Sequence, residues 1–554
     1  MVNPTLSQKK EQTLSVGDRA KKLFQAVYFE QNTKDNLSDN IPRISVSDLI
    51  SKMSFYYEKI RNSVDYKEEH LLRKNAIERI LKRQIVIEGT ISMRALNSQE
   101  IAKHLITELI RAGYLPNNTL PEYKIDEISE VIKKYLHLRD YSAQSLKGRS
   151  IEQKNTILRW IIAIAASDIE DRLGRNKVDL AVIDHIYEIL ANNIELPDNS
   201  PHIEDREIQI YIGIHRNMLK FDNEMLSYIL FRYYIENWAD ADDNTIKQTA
   251  ADIVDLKEII DAQINHPFTG QLNRLIKRYA VFFSILVDVI SENPEKSYEA
   301  LRLDHGEFAR MVKEVCDKRY KQARAKLWRA GLRSILYIFI TKSFFVLLLE
   351  IPAIKFFGED VNVLSLAINI SFPAVLLFLI IFFTRIPGAD NTQKILEGIE
   401  EIAYIEKERN EPFKFRKAGK RGGIMNTTFG LFYIVTFFIS FGAVVWALDK
   451  IHFTWVSTII FLFFLAFVSF FSIRIRKSAK ELYVIKQKEN ILGFFADFFY
   501  LPIIVVGKWL SEKFSRINVF VFVLDFIIEA PFKIFVEITE EWTKYVKERK
   551  ENIE

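Results

Sequence analysis

The sequence predicts an all-α fold, in which a helical soluble domain is followed by a polytopic α-helical membrane domain. Two observations predict it. After residue 360, three apolar segments contain no charged side chain, and each reaches the roughly 20 residues that cross a bilayer core. Before residue 333, apolar residues recur at helical spacing, and strand-like alternation is scarce outside residues 83–93.

Composition narrows the class of protein. The chain has 554 residues and a single cysteine, Cys316, so it cannot form an intramolecular disulfide and needs no oxidising compartment. Its net charge of +4 is small for this length, which disfavours a dedicated nucleic-acid binder. The N-terminal stretch lacks the apolar region of a signal peptide. Membrane insertion is therefore expected from internal segments.

The first 333 residues are expected to form two parts. Residues 1–43 are polar and are predicted to be largely mobile. Residues 44–333 are predicted to form a helical soluble domain, with an Asn97 cap opening one helix and Gly113 ending it. Further helical patterns cover 124–138, 151–173, 178–193, 205–240, 244–263, 268–291 and 305–333.

A basic helix is predicted to end this domain. The stretch KRYKQARAKLWRAGLR, residues 318–333, contains no acidic residue and directly precedes an apolar segment. Interleaved aromatic and basic residues are typical of a membrane interface as well as of nucleic-acid surfaces. Its position favours contact with anionic lipid headgroups, through Arg324, Lys326, Arg329 and Arg333.

Four membrane spans are predicted between residues 334 and 473. They cover 334–356, 363–383, 424–448 and 453–473. Buried helices of a soluble core are a poorer explanation, because such helices seldom run this long without a polar face. The first span carries Lys342 and Glu350, and ionisable residues inside a span are candidate functional groups.

Flanking charges predict the orientation of these spans. Positive charge accumulates before the first span, near the end of the loop 384–423 and in the connector 474–490, whereas the loop after the first span is acidic. The positive-inside rule then places both termini and the loop 384–423 in the cytoplasm of a multi-pass cell-membrane protein. The basic residues of that loop are expected to contact lipid headgroups: Lys414, Arg416, Lys417, Lys420 and Arg421.

Residues 491–538 allow two interpretations. Two apolar stretches within or overlapping this segment share an Asp, a Pro and a Lys in the same order. They predict either an amphipathic or re-entrant hairpin at the interface or two further spans. Both return the charged tail, 539–554, to the same side. The polar candidates here are Asp497, Asp525, Glu529 and Lys533, of which the last three share one helical face.

A limited resemblance accompanies these patterns. The stretches VDYKEEHLLRKNAIERILKR and LSEKFSRINVFVFVLDFIIEAPFK resemble parts of uncharacterised predicted polytopic membrane proteins from bacteria with reduced genomes. The resemblance covers about a tenth of the chain and implies no activity. It favours a bacterial plasma membrane.

The sequence contains no complete catalytic, metal-binding or cofactor-binding motif. The stretch DADDN, residues 240–244, imitates a calcium loop but has Thr245 where glycine is required, so a solvated helix cap is predicted instead. The nine histidines form no metal-ligand motif, and KAGKRGG lacks the spacing of a phosphate-binding loop. No catalytic residue, metal or cofactor is therefore predicted.

Two functions are favoured for the chain over a third, a membrane-embedded enzyme, because no arrangement of carboxylates, histidines or nucleophiles is specific enough for catalysis. The first is a membrane scaffold or subunit whose helical domain recruits a protein partner or forms a homo-oligomer, since that domain is far larger than an anchor requires. The alternative is a transporter or channel that uses the intramembrane ionisable residues.

Overall fold

The part of the chain that the structure describes is predominantly helical, with very little strand, which confirms the predicted all-α class. The structure is a computed structural model that describes residues 14–35, 41–62, 69–86, 97–174, 176–196, 202–415, 423–485, 491–516 and single positions between 535 and 549. Its helices in the first half of the chain are α1 (Asp18–Asp35), α2 (Asp48–Asn62), α3 (Glu69–Val86), α4 (Ser98–Arg111), α5 (Tyr123–Ser145), α6 (Ile151–Gly174), α7 (Lys177–Asn193), α8 (Arg206–Asn217), α9 (Asn223–Tyr234), α10 (Asp243–Ala251) and α11 (Ile253–Ile264).

The second half continues the same pattern. Its helices are α12 (Thr269–Glu292), α13 (Pro294–Leu303), α14 (His305–Phe345), α15 (Ile351–Phe356), α16 (Val363–Phe382), α17 (Ala389–Ala403), α18 (Gly423–Lys450), α19 (Trp455–Lys480) and α20 (Ile491–Arg516). Short 3₁₀ turns lie at Trp238–Asp240 and Ile405–Lys407, and a π-helical turn at Val346–Glu350. Among the described residues, the strands are β1 (Ile194–Glu195) and β2 (Phe413–Lys414), which pair in parallel.

The described residues divide into two compact units. The N-terminal unit comprises residues 17–280 and 409–415, and the bundle unit comprises 14–16, 281–408, 423–485 and 491–516. The division falls inside α12, whereas the sequence prediction ended the soluble domain at 333, where hydropathy rises. The two criteria differ because packing contacts and hydropathy change at different points of the chain.

The N-terminal unit has one continuous apolar core. Helices α3 to α6 and α8 to α11 contribute to it, with Ile77, Leu105, Ile161 and Leu230 inaccessible to solvent. Local signals place its elements as predicted: Asn97 caps α4 by accepting the Gln99 N–H. Gly113 follows the end of α4 with φ +78°, a conformation that glycine adopts without strain.

Residues 18–35 lie within the segment 1–43, which the sequence predicts to be largely mobile. They form α1, which packs against α7 and buries Ala20, Leu23, Phe24 and Val27. These four residues follow the i, i+3, i+4, i+7 spacing of one helix face. Polar residues are abundant around these four, so the average polarity of the segment does not reveal the apolar stripe that the spacing forms.

Two predicted helical stretches are each divided. Residues 205–240 form α8, α9 and a 3₁₀ turn, and residues 244–263 are divided between α10 and α11 at Asp252. The cap predicted for DADDN is confirmed, because Asp242 lies at the N-terminus of α10 and accepts the Thr245 N–H. Residues 87–93, the latter part of the one strand-like pattern, lie outside the described residues.

The bundle unit contains four helices that are long and apolar enough to cross a membrane. They cover His305–Phe356, Val363–Phe382, Thr427–Lys450 and Trp455–Lys477. The predicted basic helix is part of the first, because α14 runs without a break from the basic stretch into the apolar one. The loop 384–423 contains α17, whose Asn391 donates to the Tyr320 hydroxyl of α14.

Helix α20 packs against α18 and α19 in the same unit. It continues through Pro502 as one helix of 26 residues, so the chain does not turn there. Residues 517–534, which hold most of the second half of the proposed hairpin, lie outside the described residues.

Candidate functional site: a polar cluster among the membrane helices

Two of the predicted intramembrane residues lie together inside the bundle. Lys342 and Glu350 are both fully inaccessible to solvent. Several apolar side chains between them point the other way, since Phe344, Leu347 and Leu348 are more than half exposed, whereas Val346 is buried. The helix therefore presents an apolar surface outward and turns its two charges toward its neighbours.

The π-helical turn brings these two residues onto one face. In a regular α-helix, residues eight apart differ by about 80° around the axis. The π turn Val346–Glu350 advances more slowly, by roughly 80° per residue, which nearly removes that difference. Its i to i−5 hydrogen bond is present, from the Ile351 N–H to the Val346 carbonyl. Pro352 follows at once and has no N–H for a regular helical bond.

Glu350 accepts hydrogen bonds from two other helices. Its Oε1 atom accepts from the Asn369 side-chain amide of α16 at 2.5 Å and from the Ser457 hydroxyl of α19 at 2.7 Å. Both donors are buried. The carboxylate thus joins three membrane helices at one point, which an apolar side chain of the same size could not do.

Lys342 completes the cluster from the same helix as Glu350. Its Nζ lies 3.8 Å from Glu350 Oε2, which is an ion-pair distance but too long for a hydrogen bond. The ammonium group also lies 4.0 Å from the centre of the Phe464 ring of α19. An aromatic face attracts a cation electrostatically without satisfying its N–H donors.

Three polar atoms of this cluster have no hydrogen-bond partner. They are Lys342 Nζ, Glu350 Oε2 and Asn369 Oδ1. A buried unsatisfied polar group costs about 1–3 kcal/mol, and more when it is charged. The cluster therefore contains two unused oxygen acceptors, which can hold a proton or another small cation only in competition with the Lys342 ammonium group.

The other predicted site residues lie apart from this cluster or beyond the described part of the chain. Arg324, Lys326, Arg329 and Arg333 are exposed on α14, and Lys414 is exposed in β2. The backbone of Asp497 belongs to α20. The remaining candidates lie outside the described residues: Arg416, Lys417, Lys420, Arg421, Asp525, Glu529 and Lys533.

Sequence reasoning missed Asn369 and Ser457. Each is an uncharged polar residue inside a long apolar segment, and such residues were not counted as candidates because they do not interrupt hydropathy. The signal that could have found Asn369 is its amide, which needs partners that lipid does not provide. Ser457 is less distinctive, because a serine can bond to its own helix.

The fold and the site together define a class. Four apolar helices, with a charged pair enclosed among them, indicate an α-helical membrane protein. A comparison with protein-family models gave no match, and searches of curated proteins and of solved structures also returned none.

Proposed function

We propose that the protein moves a small cation, the proton included, across the membrane, and that Glu350 and Lys342 form its binding site. The supporting observation is the incomplete hydrogen bonding of the cluster, in which three buried polar atoms have no hydrogen-bond partner although two of them form the ion pair. A purely structural ion pair is stable only when its remaining donors and acceptors are satisfied. Unused bonding capacity at this depth favours a site that gains and loses a ligand.

The arrangement supports competition for one carboxylate. Glu350 is held in place through Oε1 by Asn369 and Ser457, which leaves Oε2 to face Lys342. A proton or cation on Oε2 neutralises the carboxylate and releases the ammonium group from its counter-ion. Uncompensated Lys342 is then costly in an apolar bundle, and this cost favours a second conformation in which Lys342 reaches water.

Flux through reconstituted protein tests this proposal. The full-length protein in liposomes should carry protons or sodium down an imposed gradient, measured with a pH-sensitive or sodium-sensitive dye inside. Glu350→Gln keeps the shape of the side chain and removes its charge, so it should reduce flux at least tenfold. Lys342→Met should reduce flux as well, because the competing charge is lost.

Matched controls lie close by on the surface. Asp360→Asn and Lys355→Met remove one charge of each sign at exposed positions, and both should leave flux unchanged. Wild-type flux equal to that of empty liposomes would refute the transport proposal. So would a Glu350→Gln variant that carries ions at the wild-type rate and is folded by circular dichroism.

The proposal includes an orientation. We place both termini and the loop 384–423 in the cytoplasm, because basic residues flank the spans on that side. The exposed positions of Arg324, Lys326, Arg329 and Arg333 along α14 support contact with anionic headgroups there.

A second candidate function concerns the N-terminal unit. This unit is built on its own continuous core, which four spans do not require for insertion. That observation favours a subunit or scaffold whose helical unit binds a protein partner. Crosslinking in native membranes should then attach another protein to the unit, whereas recovery of self-crosslinked chains alone would point to a homo-oligomer.

A further inference from the structure

Two histidines and an aspartate lie close together in the N-terminal unit, near the N-terminal end of α8. His202 and Asp205 are close in sequence at this helix start, and His266 lies in the turn between α11 and α12. Among the described residues, these are the only three such side chains that lie close enough together to share one metal ion. They are separate from the membrane cluster and play no part in the proposed transport.

The three ligand atoms form a nearly regular triangle. His202 Nδ1 lies 3.2 Å from His266 Nε2, and Asp205 Oδ2 lies 3.4 Å from each of these two nitrogens. Tetrahedral zinc with bonds of about 2.0–2.1 Å separates its ligands by roughly 3.3–3.4 Å. The triangle therefore already has the dimensions of one face of a zinc coordination tetrahedron.

Neighbouring side chains hold this triangle in place. Gln263 donates its amide to Asp205 Oδ1 at 2.7 Å, so Oδ2 is the oxygen that faces the histidines. The Gln209 side-chain amide in turn donates to Gln263 Oε1 at 2.6 Å. The Phe268 ring packs against both imidazoles, with 5.6 Å between ring centres in each case. Such outer contacts are typical of metal sites, where they orient the ligands.

The three side chains line one small cleft. His202, Asp205 and His266 line it together with Arg206, Gln209 and Phe415, and its free volume of about 10 Å³ suits about one water molecule. Structural zinc sites are closed by four protein ligands, whereas three ligands and an open position are typical of catalytic sites. A water molecule in this cleft can supply the fourth ligand.

We propose that His202 Nδ1, Asp205 Oδ2 and His266 Nε2 bind one zinc-class divalent ion, with its fourth position taken by water. Two imidazoles and a carboxylate suit zinc and the neighbouring first-row metals, and they suit calcium and magnesium poorly because those ions prefer oxygen. The single cysteine, Cys316, belongs to the bundle unit and supplies no competing thiolate.

Metal binding requires one local rearrangement. The Phe268 N–H lies 3.3 Å from His266 Nδ1 and donates to it, so the ring proton resides on Nε2 when no metal is bound. Metal coordination at Nε2 moves this proton to Nδ1, and the Phe268 N–H must then turn away. Binding is therefore coupled to a movement of the backbone at residues 266–268.

Titration of the purified full-length protein tests the site. After chelator treatment in detergent, the wild type should bind one zinc ion per chain in competition with a chromophoric chelator. Cobalt in its place should give the intense visible absorption of tetrahedral coordination. His202→Gln, Asp205→Asn and His266→Gln should each weaken binding more than about 100-fold, and Gln263→Ala about 10- to 100-fold.

A second histidine–aspartate pair provides the matched control. His137 lies 3.9 Å from Asp243 on the surface and has no second histidine beside it, so His137→Gln should bind zinc as the wild type does. His202 is partly exposed, and its variant therefore tests the site even if the buried His266 variant fails to fold. The proposal is overturned if the wild type binds less than one ion, or if folded His202→Gln binds zinc as tightly.

Discussion

At the scale of single residues, Lys74 shows how a buried charge is stabilised in the N-terminal unit. Its side chain is 2% exposed, and its Nζ lies 3.1 Å from Asp222, 3.4 Å from Glu224 and 3.6 Å from Glu78. Burial alone would raise the pKa of Asp222, but the attraction of Lys74 and the Met225 N–H outweigh burial and hold this pKa below its ordinary value. Ionised Asp222 therefore stabilises the fold above its unfolded-state pKa.

Lys74→Met should destabilise the protein at neutral pH. Loss of the buried ammonium group leaves the partly exposed carboxylates of Glu78, Asp222 and Glu224 close together without their shared cation, which costs less than the roughly 3–5 kcal/mol of a fully buried pair because water screens them. The deficit should shrink as the pH falls through the folded-state pKa of Asp222, because the wild type also loses this contribution there. Urea unfolding of the purified protein, followed by circular dichroism from pH 7 downward, measures both effects.

Lys82→Met is the control for this prediction. Lys82 pairs with Glu78 one turn away on α3, but its side chain is 42% exposed. Such a pair contributes only about 0.3–0.5 kcal/mol, so this variant should unfold close to the wild type at every pH. A Lys74→Met deficit as small as that of Lys82→Met would contradict the account of Lys74.

Single residues also show which parts of the polar cluster and of the metal site could be predicted from the sequence. Lys342 and Glu350 could be selected because charge inside an apolar segment is costly, and the structure brings the two together. Asn369 could not be paired with them, because its contact depends on how α16 packs beside α14. His202 and His266 are 64 residues apart, and only the tertiary fold makes them neighbours.

At the scale of helices, Gly507 controls the approach of α20 to α19. A Cβ atom at this position would collide with the backbone carbonyl of Ala466. Small residues allow close backbone approach in membrane bundles, where packing replaces the hydrophobic effect as the source of association. Among the described elements, α19 and α20 share the most extensive contact. Close approach at Gly507 is therefore important for the packing of the bundle.

Gly507→Ala should lower the thermal stability of the bundle, with a cost of about 1–3 kcal/mol for the overpacked contact. A loss of stability would indicate steric overpacking at the contact, because alanine is intrinsically the better helix former by about 1 kcal/mol and would otherwise stabilise α20. Thermal unfolding of the detergent-purified protein measures the change. Gly442→Ala on α18 is the control, since a Cβ there meets nothing within 4 Å, and it should leave stability unchanged or raise it. Equal melting of the two variants would contradict the packing role.

Helix boundaries followed from sequence where a local signal marks them. The Asn97 and Asp242 caps lie where predicted, because a cap depends on residues within one turn. The π turn at Val346–Glu350 was not predicted, since no local pattern distinguishes it from a continuous helix. Helix α17, inside the loop 384–423, was not predicted, although Ile395, Ile399 and Ile402 have the spacing of one helical face.

At the scale of the whole molecule, the proposed orientation makes a prediction about sidedness. Reporter fusions after residues near 300, 405, 482 and 550 should report from the cytoplasm, because basic residues are retained there. Fusions near 359 and 450 should report from outside. A fusion at 405 that reports from outside would overturn the assignment, since α17 and its loop lie between the second and third spans.

The general architecture could be predicted because long apolar segments are recognisable without tertiary information. All four predicted spans correspond to helices of the bundle unit. The division of the chain at residues 280 and 281 was not predicted, because it lies within one continuous helix and no loop or break marks it. Hydropathy locates the segments that meet lipid, and it does not locate the boundary between packed units.

The location of Lys342 and Glu350 on one helix has a consequence for biosynthesis. Of the four apolar helices, the one made first contains both charges, and insertion of a single unpaired charge at the centre of a span costs about 2.5–3.5 kcal/mol. Because the π turn sets the two on the same side, the segment enters the bilayer with its opposite charges adjacent and its net charge balanced. Asn369 and Ser457 arrive later in synthesis, with α16 and then α19, and each adds a hydrogen bond to a carboxylate that is already in place.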